Sequence, residues 1–285
     1  MGKLVFIMAA LVSAGSSGFA QGMPQPTAID RAFNRIYNLD FVGAYAILDT
    51  ELREHPDSPL VFSVRGAACL FNEFDRMHIL ETDFFADDDK VTDRKRVKPD
   101  PGVRAQLFRM TEEARKRAQT RLGVKSDDRE ALFAMLMAAA VETDYAGIVE
   151  KRYFRTYSLS KESQGYARKL LAMNPPFPDA YMTLGTVEYV VSSLNFFFRL
   201  FIHFDQIEGS KQKAVENLRK VIAGGRYYPP YAKILLSVIY LREKQPDQAL
   251  VLLQEVERDF PENTLIRNEV KHVSDSIKNA PPRKR

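Results

Sequence analysis

The sequence predicts an all-α protein, built as an α-solenoid of antiparallel helix pairs with inserted segments. Apolar residues recur along most of the chain at i, i+3, i+4 and i+7, which is the spacing of an amphipathic helix. One such run contains Val103, Leu107 and Met110, with charged residues on its other faces. Proline-bearing turns, such as the one at Pro229-Pro230, separate these runs. No convincing alternation of apolar and polar residues predicts a strand.

The first twenty residues have the features of a signal peptide. Lys3 gives a positive start, and Leu4–Ala14 is an apolar run of eleven residues. This run is too short to span a bilayer, which takes about 20 helical residues. Small residues up to Ala20 suit a signal peptidase, so cleavage is expected after Ala20. We therefore expect an exported protein of the periplasm or cell envelope, with residues 21–26 as a linker.

The chain repeats one pattern of small and large residues near its two ends. Intervals of 12, 4 and 8 residues separate the members of two sets: Ala32, Ala44, Leu48 and Pro56, and Ser237, Ala249, Leu253 and Pro261. Small residues at facing positions let two antiparallel helices approach closely, and the leucine four residues further on covers their contact. The proline then ends the second helix. The spacing therefore predicts helix pairs of one design at both ends of the chain.

These features resemble the tetratricopeptide repeat (TPR), a helix-turn-helix unit of about 34 residues. Tyr181, Leu184 and Gly185 match the aromatic-x-x-Leu-Gly opening of its first helix. Ser237 and Tyr240 match the first helix of a later repeat. The residues expected to pack between paired helices are Ala44, Leu48, Pro56, Leu184, Gly185, Ala214, Leu218, Ser237, Tyr240, Ala249, Leu253 and Pro261.

The resemblance implies a TPR-like α-solenoid over residues 27–279. It would contain five degenerate helix pairs, followed by a capping helix at Leu265–Lys278. The middle of the chain departs from the repeat, and insertions are expected at about 81–101, 146–161 and 195–210. A basic tail, 280–285, is expected to fray.

Few residues carry signals of catalysis or metal binding. The HExxH, GxxxxGK[ST], GxGxxG and CxxC motifs are absent from the sequence, and the single cysteine, Cys69, lies among residues typical of a core. The acidic run from Glu81 to Asp89 lacks the glycine and glutamate of an EF-hand loop. A net charge of +4 is too small to favour a nucleic-acid partner. We therefore predict a non-enzymatic protein without metal or cofactor, and an envelope enzyme that uses solenoid carboxylates is the alternative.

The apolar segment Val187–Phe204 is the most unusual stretch of the chain. It is as long as a membrane-spanning helix, but Glu188, Arg199 and His203 inside it make spanning costly. Three interpretations stay open: the phenylalanines seal the helical array, bind a partner, or insert shallowly into a membrane surface. The last of these makes a membrane-surface protein a further alternative. The candidate interface residues are Phe197, Phe198 and Arg199.

TPR proteins hold peptides or other proteins on the concave face formed by the first helices of their repeats. The resemblance therefore implies a protein–protein interaction scaffold of the bacterial cell envelope, with an unidentified protein or peptide as partner. First-helix residues that face away from the second helices would line this groove: Met182, Thr186, Tyr189, Ile234, Val238 and Leu241. Such side chains equally fit a core covered by another part of the chain, and both interpretations stay open. The oligomeric state is not predicted.

Overall fold

The structure is a computed structural model, which describes residues 25–80, 98–193 and 209–279. These residues form eleven α-helices and no strand, so the predicted all-α class is confirmed for this part of the chain. In chain order the helices are α1 (Ala28–Tyr37), α2 (Phe41–Glu54), α3 (Pro59–Arg76), α4 (Pro101–Val124), α5 (Arg129–Asp144), α6 (Tyr153–Leu171), α7 (Tyr181–Ser193), α8 (Lys211–Gly224), α9 (Pro229–Arg242), α10 (Pro246–Asp259) and α11 (Thr264–Asn279). A π-helical turn, Tyr145–Val149, continues α5, and a 3₁₀ turn, Pro178–Ala180, leads into α7.

Side-chain caps explain where several helices begin. The Thr27 hydroxyl accepts the backbone N–H of Asp30, and the Asp30 carboxylate accepts the backbone N–H of Thr27, which forms a capping box at α1. Ser58 and Ser210 cap α3 and α8 through their hydroxyl oxygens. Proline stands in the first turn of α3, α4, α9 and α10, where a helix has no use for the missing N–H. The polar and proline residues of the turns therefore set these helix boundaries.

Each described helix packs against the next one in the chain, and α3 also packs against α5. Small residues allow these close contacts. A Cβ atom at Gly185 of α7 would lie 3.1 Å from Leu218 Cγ and 3.3 Å from the Ala214 carbonyl oxygen of α8, so only a glycine fits there without a shift. Of the residues expected to pack between helices, these are fully buried: Ala44, Leu48, Ala214, Leu218, Ser237, Ala249 and Leu253.

The other members of that set lie at the margins of the helix contacts. Leu184 is half-buried, and Pro56 and Pro261 are exposed in the turns that follow α2 and α10. Tyr240 is buried, and its hydroxyl accepts a hydrogen bond from the Arg219 guanidinium at 2.9 Å.

Two of the expected insertions begin and end beside buried polar contacts. Residues 81–97 lie outside the described part, and the buried Glu73 carboxylate accepts the backbone N–H of Asp100 at 2.7 Å where the description resumes. Residues 194–208 also lie outside it, and the Glu188 carboxylate accepts the backbone N–H of Ser210 at 2.8 Å. Gly209 packs on the α7 backbone, because a Cβ there would lie 2.3 Å from Ser192 N. The third expected insertion, 146–161, is largely helical, since it contains most of the π-helical turn and the first half of α6.

Candidate functional site

The first helix contacts the C-terminal part of the chain. The Arg226 guanidinium, in the turn between α8 and α9, donates to the Asp30 carboxylate of α1 at 2.8 Å. The Tyr37 hydroxyl at the end of α1 donates to the Tyr227 carbonyl at 2.9 Å. The Asn263 side chain, in the turn before α11, donates to the Tyr37 carbonyl at 2.7 Å. These contacts bring α1 against the turns that precede α9 and α11, so the first helix meets the C-terminal part of the helical array.

One carboxylate organises the turn that α1 contacts. Asp179, in the 3₁₀ turn before α7, is 1% exposed. Its Oδ2 accepts the backbone N–H of Arg226, and its Oδ1 accepts those of Tyr227 and Tyr228, each at 2.8 Å. Three converging N–H groups form a strong charge-assisted site for a carboxylate. Asp179 therefore fixes the position of the two tyrosines relative to α1 and α7.

Behind this contact lies a cavity of about 90 Å³. Its walls come from α1, α3, α5, α6, α7 and α9, so alternate helices along the chain contribute most of the lining. Leu70, Phe71, Leu136 and Val141 form part of the apolar wall. The polar side chains in the lining are Tyr37, Thr143, Asp144, Ser160, Ser163, Thr183, Thr186, Tyr228 and Tyr231. An apolar lining with a few converging polar groups is the usual composition of a small ligand site, and this cavity is small enough to take only one end of a ligand.

Asp144 is the ionisable acid of this lining. It is the last residue of α5, and the π-helical turn starts at the next position. The residue is half-buried, and it lines the cavity. In the described part of the chain, no hydrogen bond or ion pair reaches its carboxyl group. Desolvation by burial raises the pKa of Asp144 from 3.8 to about 7.

Aromatic rings surround the same space. Burial raises the pKa of Tyr231, and the nearby charge of Asp144 raises it further. Burial also raises the pKa values of Tyr37 and Tyr228 well above 10, so all three phenols keep their protons at neutral pH. The ring of Phe71 meets that of Tyr231 at 5.6 Å in a perpendicular arrangement. The cavity thus presents aromatic surface next to one carboxyl group.

Two of the six residues predicted for a groove line this cavity. Met182 is buried, and Thr186 donates its hydroxyl proton to the Met182 carbonyl at 2.9 Å. Tyr189 and Val238 are buried outside the lining. The remaining two, Ile234 and Leu241, are half-buried against the apolar cluster of α10 and α11. The burial of these last four favours the alternative in which they form core.

Sequence reasoning did not single out the groups that distinguish the cavity. Asp144 and Tyr37 are 107 positions apart, and Tyr228 and Tyr231 belong to a proline-rich turn. One usable signal is the acid itself, which ends a long apolar run in α5 without a basic residue three or four positions away. The run of tyrosines and prolines at 227–231 is a second signal.

The other sequence candidates contribute less. Cys69 is fully buried, and burial raises the pKa of its thiol, which agrees with the predicted core role. Phe197, Phe198 and Arg199 fall outside the described residues, so the interpretation of the Phe-rich segment stays a prediction. Ligand atoms of Glu51, Glu54 and His55 lie within 4.8 Å of one another at the surface.

One described stretch, Arg129–Val149, is long and apolar enough to span a membrane, with a mean hydropathy of 1.5. Because 67% of its apolar window is buried within the protein, it has the character of a core helix. Comparison with models of known protein families gives no match, and no curated protein matches the chain.

Proposed function

We propose that this chain is a non-enzymatic binding protein of the bacterial cell envelope, which holds a protein or peptide by taking the end of one of its side chains into the cavity between the alternate helices. The cavity itself is the observation that carries the proposal, because it combines an apolar wall with one carboxyl group that has no partner among the described residues. Met182 and Thr186, which the TPR resemblance places on the binding face, both line it.

The proposal includes a TPR-like α-solenoid. Its support is the burial of the repeated small and large residues, such as Ala44 and Leu48 in α2 and Ala249 and Leu253 in α10. The eleven helices of the described residues can also be grouped as five successive pairs followed by a last helix, α11. In a solenoid of helix pairs the first helices lie side by side, and α1, α3, α5, α7 and α9 all contribute to the cavity.

The binding role is preferred to catalysis because of what surrounds Asp144. A carboxyl group with a pKa of about 7 suits general acid–base chemistry, and this favours the envelope enzyme as the second candidate. Such chemistry usually pairs that group with a second acid, base or nucleophile. Within the described lining, the neighbours of Asp144 are phenols, hydroxyls and apolar side chains, with no histidine, lysine or second carboxylate.

Export remains part of the proposal and rests on residues 1–20 alone, since the description starts at residue 25. N-terminal sequencing of the protein from a periplasmic fraction should read from Gln21. A cytoplasmic protein that retains Met1 would contradict export. The membrane-surface alternative depends on the Phe-rich segment and gains no support from the described residues.

Filling the cavity tests the binding role. Ala140 lines the cavity, and Ala46 on α2 is exposed, so Ala140→Leu and Ala46→Leu add the same group inside and outside it. The mature protein and both variants would be used as baits in envelope extract, with mass spectrometry of the retained material and thermal melting as a folding check. We expect a ligand that the parent and Ala46→Leu retain and that folded Ala140→Leu loses. Equal retention by all three proteins would contradict the cavity as the binding site.

A further inference from the structure

We propose that the cavity binds a primary alkylammonium group, with the Asp144 carboxylate as its counter-ion and the rings of Tyr37, Phe71, Tyr228 and Tyr231 around it. This inference rests on the proposed binding function and names the chemical class of the ligand. It commits to one chemistry, a protonated primary amine on an apolar stem. Two sources share that chemistry: the lysine side chain of a partner, and a free alkylamine.

Charge is the first argument. Asp144 is half-buried in the cavity lining and receives neither a hydrogen bond nor an ion pair from the described residues. An isolated carboxylate in such surroundings is costly, and a bound cation would remove that cost. The described lining residues include no lysine, arginine or histidine that could form an ion pair with this carboxylate. With respect to the described residues, a cationic ligand is therefore the group that would pair with the ionised carboxylate.

The aromatic lining is the second argument. The face of a tyrosine or phenylalanine ring attracts a cation within about 6 Å of its centre, and the attraction grows when water is excluded. Tyr37 comes from α1, Phe71 from α3, and Tyr228 and Tyr231 from the start of α9, so the rings approach the cavity from three directions. A neutral ligand of the same shape would gain the apolar contacts without this attraction.

Hydrogen-bonding capacity is the third argument. Three cavity hydroxyls already donate their protons to backbone carbonyls: Thr143 to Ala139 at 2.7 Å, Thr186 to Met182 at 2.9 Å and Ser163 to Ser160 at 3.0 Å. Each of these hydroxyls has lone pairs left and no proton to offer. Together with the carboxylate they supply four acceptor groups, beside the phenols of Tyr228 and Tyr231, which keep their protons. A primary ammonium group brings three N–H donors, whereas a quaternary ammonium brings none.

The size of the cavity fixes how much of the ligand enters. An apolar cavity of about 150 Å³ accepts benzene, which has six heavy atoms. The cavity of about 90 Å³ in this chain therefore has room for roughly four heavy atoms. The end of a lysine side chain and the end of n-butylammonium both fit this estimate.

Titration calorimetry of the purified mature protein at pH 8 tests the class of ligand. The probes are n-butylammonium chloride, 1-butanol and tetramethylammonium chloride, and the variants are Asp144→Asn and the matched control Asp127→Asn on an exposed turn. We expect butylammonium to bind the parent and Asp127→Asn equally, and Asp144→Asn at least tenfold more weakly. Butanol and tetramethylammonium should each bind the parent at least tenfold more weakly than butylammonium. Equal affinity for butanol, or unchanged affinity in Asp144→Asn, would overturn the proposal.

A measurement on the unaltered protein covers the case in which Asp144→Asn does not fold. Butylammonium affinity should fall at least fivefold between pH 8 and pH 5.5, because Asp144 gains a proton in this range. The other titratable groups of the described lining are the phenols of Tyr37, Tyr228 and Tyr231, which stay protonated throughout. Asp179 acts on Tyr37 and Tyr228 from the turn before α7, where three backbone N–H groups hold it. A flat profile would overturn the role of Asp144.

A lysine peptide distinguishes the two sources. If acetyl-Ala-Lys-Ala-amide binds at least tenfold more tightly than butylammonium, a partner lysine is the ligand. If butylammonium binds and the peptide does not, a free amine is the ligand, and both results support the ammonium class. The capture experiment with Ala140→Leu is independent of these titrations. If butylammonium fails to bind but the parent captures a ligand that Ala140→Leu loses, the ammonium assignment is wrong and the binding function still stands.

Discussion

The guanidinium of Arg226 lies 2.8 Å from the carboxylate of Asp30, although 196 positions separate the two residues in the chain. Asp30 belongs to the capping box of α1, and Arg226 belongs to the turn that Asp179 holds by three backbone hydrogen bonds. The pair therefore joins the first helix to the turn that carries Tyr228 into the cavity lining. Together with the hydrogen bonds of Tyr37 and Asn263, this pair holds α1 against the turns before α9 and α11.

Removing this pair should weaken the contact between the ends of the array in a pH-dependent way. Burial acts to raise the pKa of Asp30, but hydrogen bonds from Arg226 and Thr27 outweigh it and lower the pKa from 3.8 to about 2. A lowered pKa means that the stabilisation is present above pH 4 and is lost as the pH falls towards 2. Because Arg226 is half exposed, we expect Arg226→Ala to cost only about 1 kcal/mol at pH 6.

Urea unfolding followed by circular dichroism measures this difference. Arg258→Ala is the matched control, since its side chain is 74% exposed. The gap between the parent and Arg226→Ala should shrink between pH 4 and pH 2. A gap that is constant over that range would mean that the Asp30 carboxylate does not stabilise the contact.

Asp179 should matter more than the ion pair, because it is buried and accepts three backbone N–H groups. Asp179→Ala leaves all three donors without an acceptor, and we expect a loss of about 2–4 kcal/mol in the free energy of unfolding. Asp179→Asn keeps an acceptor for Tyr227 and Tyr228 and loses the one for Arg226, so its loss should be smaller. Asp127→Ala controls for the removal of an exposed acid. Equal losses in the alanine and asparagine variants would contradict the role of these hydrogen bonds.

The helical class was predictable because it depends on local patterns. Apolar spacing, caps such as Thr27 and turn prolines act within a few residues, and small residues such as Ala44 and Ala249 mark close helix contacts directly in the sequence. A capping box and an exposed acid in a first turn also give Asp30 an ordinary local explanation. Nothing in the local pattern of Asp30 indicates a partner 196 positions away.

The cavity was less predictable, because it too depends on contacts between residues that are far apart in the chain. Its five aromatic residues and Asp144 come from α1, α3, α5, α9 and the residue before α9, which lie far apart in the chain. The TPR resemblance predicted Met182 and Thr186 for a groove, as first-helix residues that face away from the second helix, and both line the cavity. Val238 is buried outside the lining, which no periodic pattern distinguishes from an exposed groove position.

The contact between α9 and α10 can be tested by overpacking. Ala249 is fully buried at the start of α10, so the added side chain of Ala249→Leu has no free space. We expect a cost of about 1–3 kcal/mol and a lower melting temperature. Ala46→Leu adds the same side chain at an exposed position of α2 and should leave stability nearly unchanged. A melting temperature of Ala249→Leu equal to that of the parent would contradict the packing of this pair.

The contribution of Asp144 to stability should depend on pH in the direction opposite to that of an ion-paired acid, and Asp144→Asn tests this. Burial raises the pKa of Asp144 from 3.8 to about 7, so folding favours the protonated acid. Below pH 4 the carboxyl group is protonated in both states and costs nothing. Between pH 4 and pH 7 the carboxyl group loses its proton in the unfolded chain before it does so in the fold. The free energy of unfolding therefore falls as the pH rises through this range.

Asparagine carries no charge, so Asp144→Asn should escape this cost. We expect it to be about 2–4 kcal/mol more stable than the parent at pH 8 and nearly equal to it at pH 4. Urea unfolding at the two pH values measures the difference, with Asp127→Asn as the control that should follow the parent at both. Added butylammonium should then stabilise the parent and not Asp144→Asn at pH 8. A variant that is less stable than the parent at pH 8 would mean that the carboxylate has a stabilising partner and that the cavity does not need a cation.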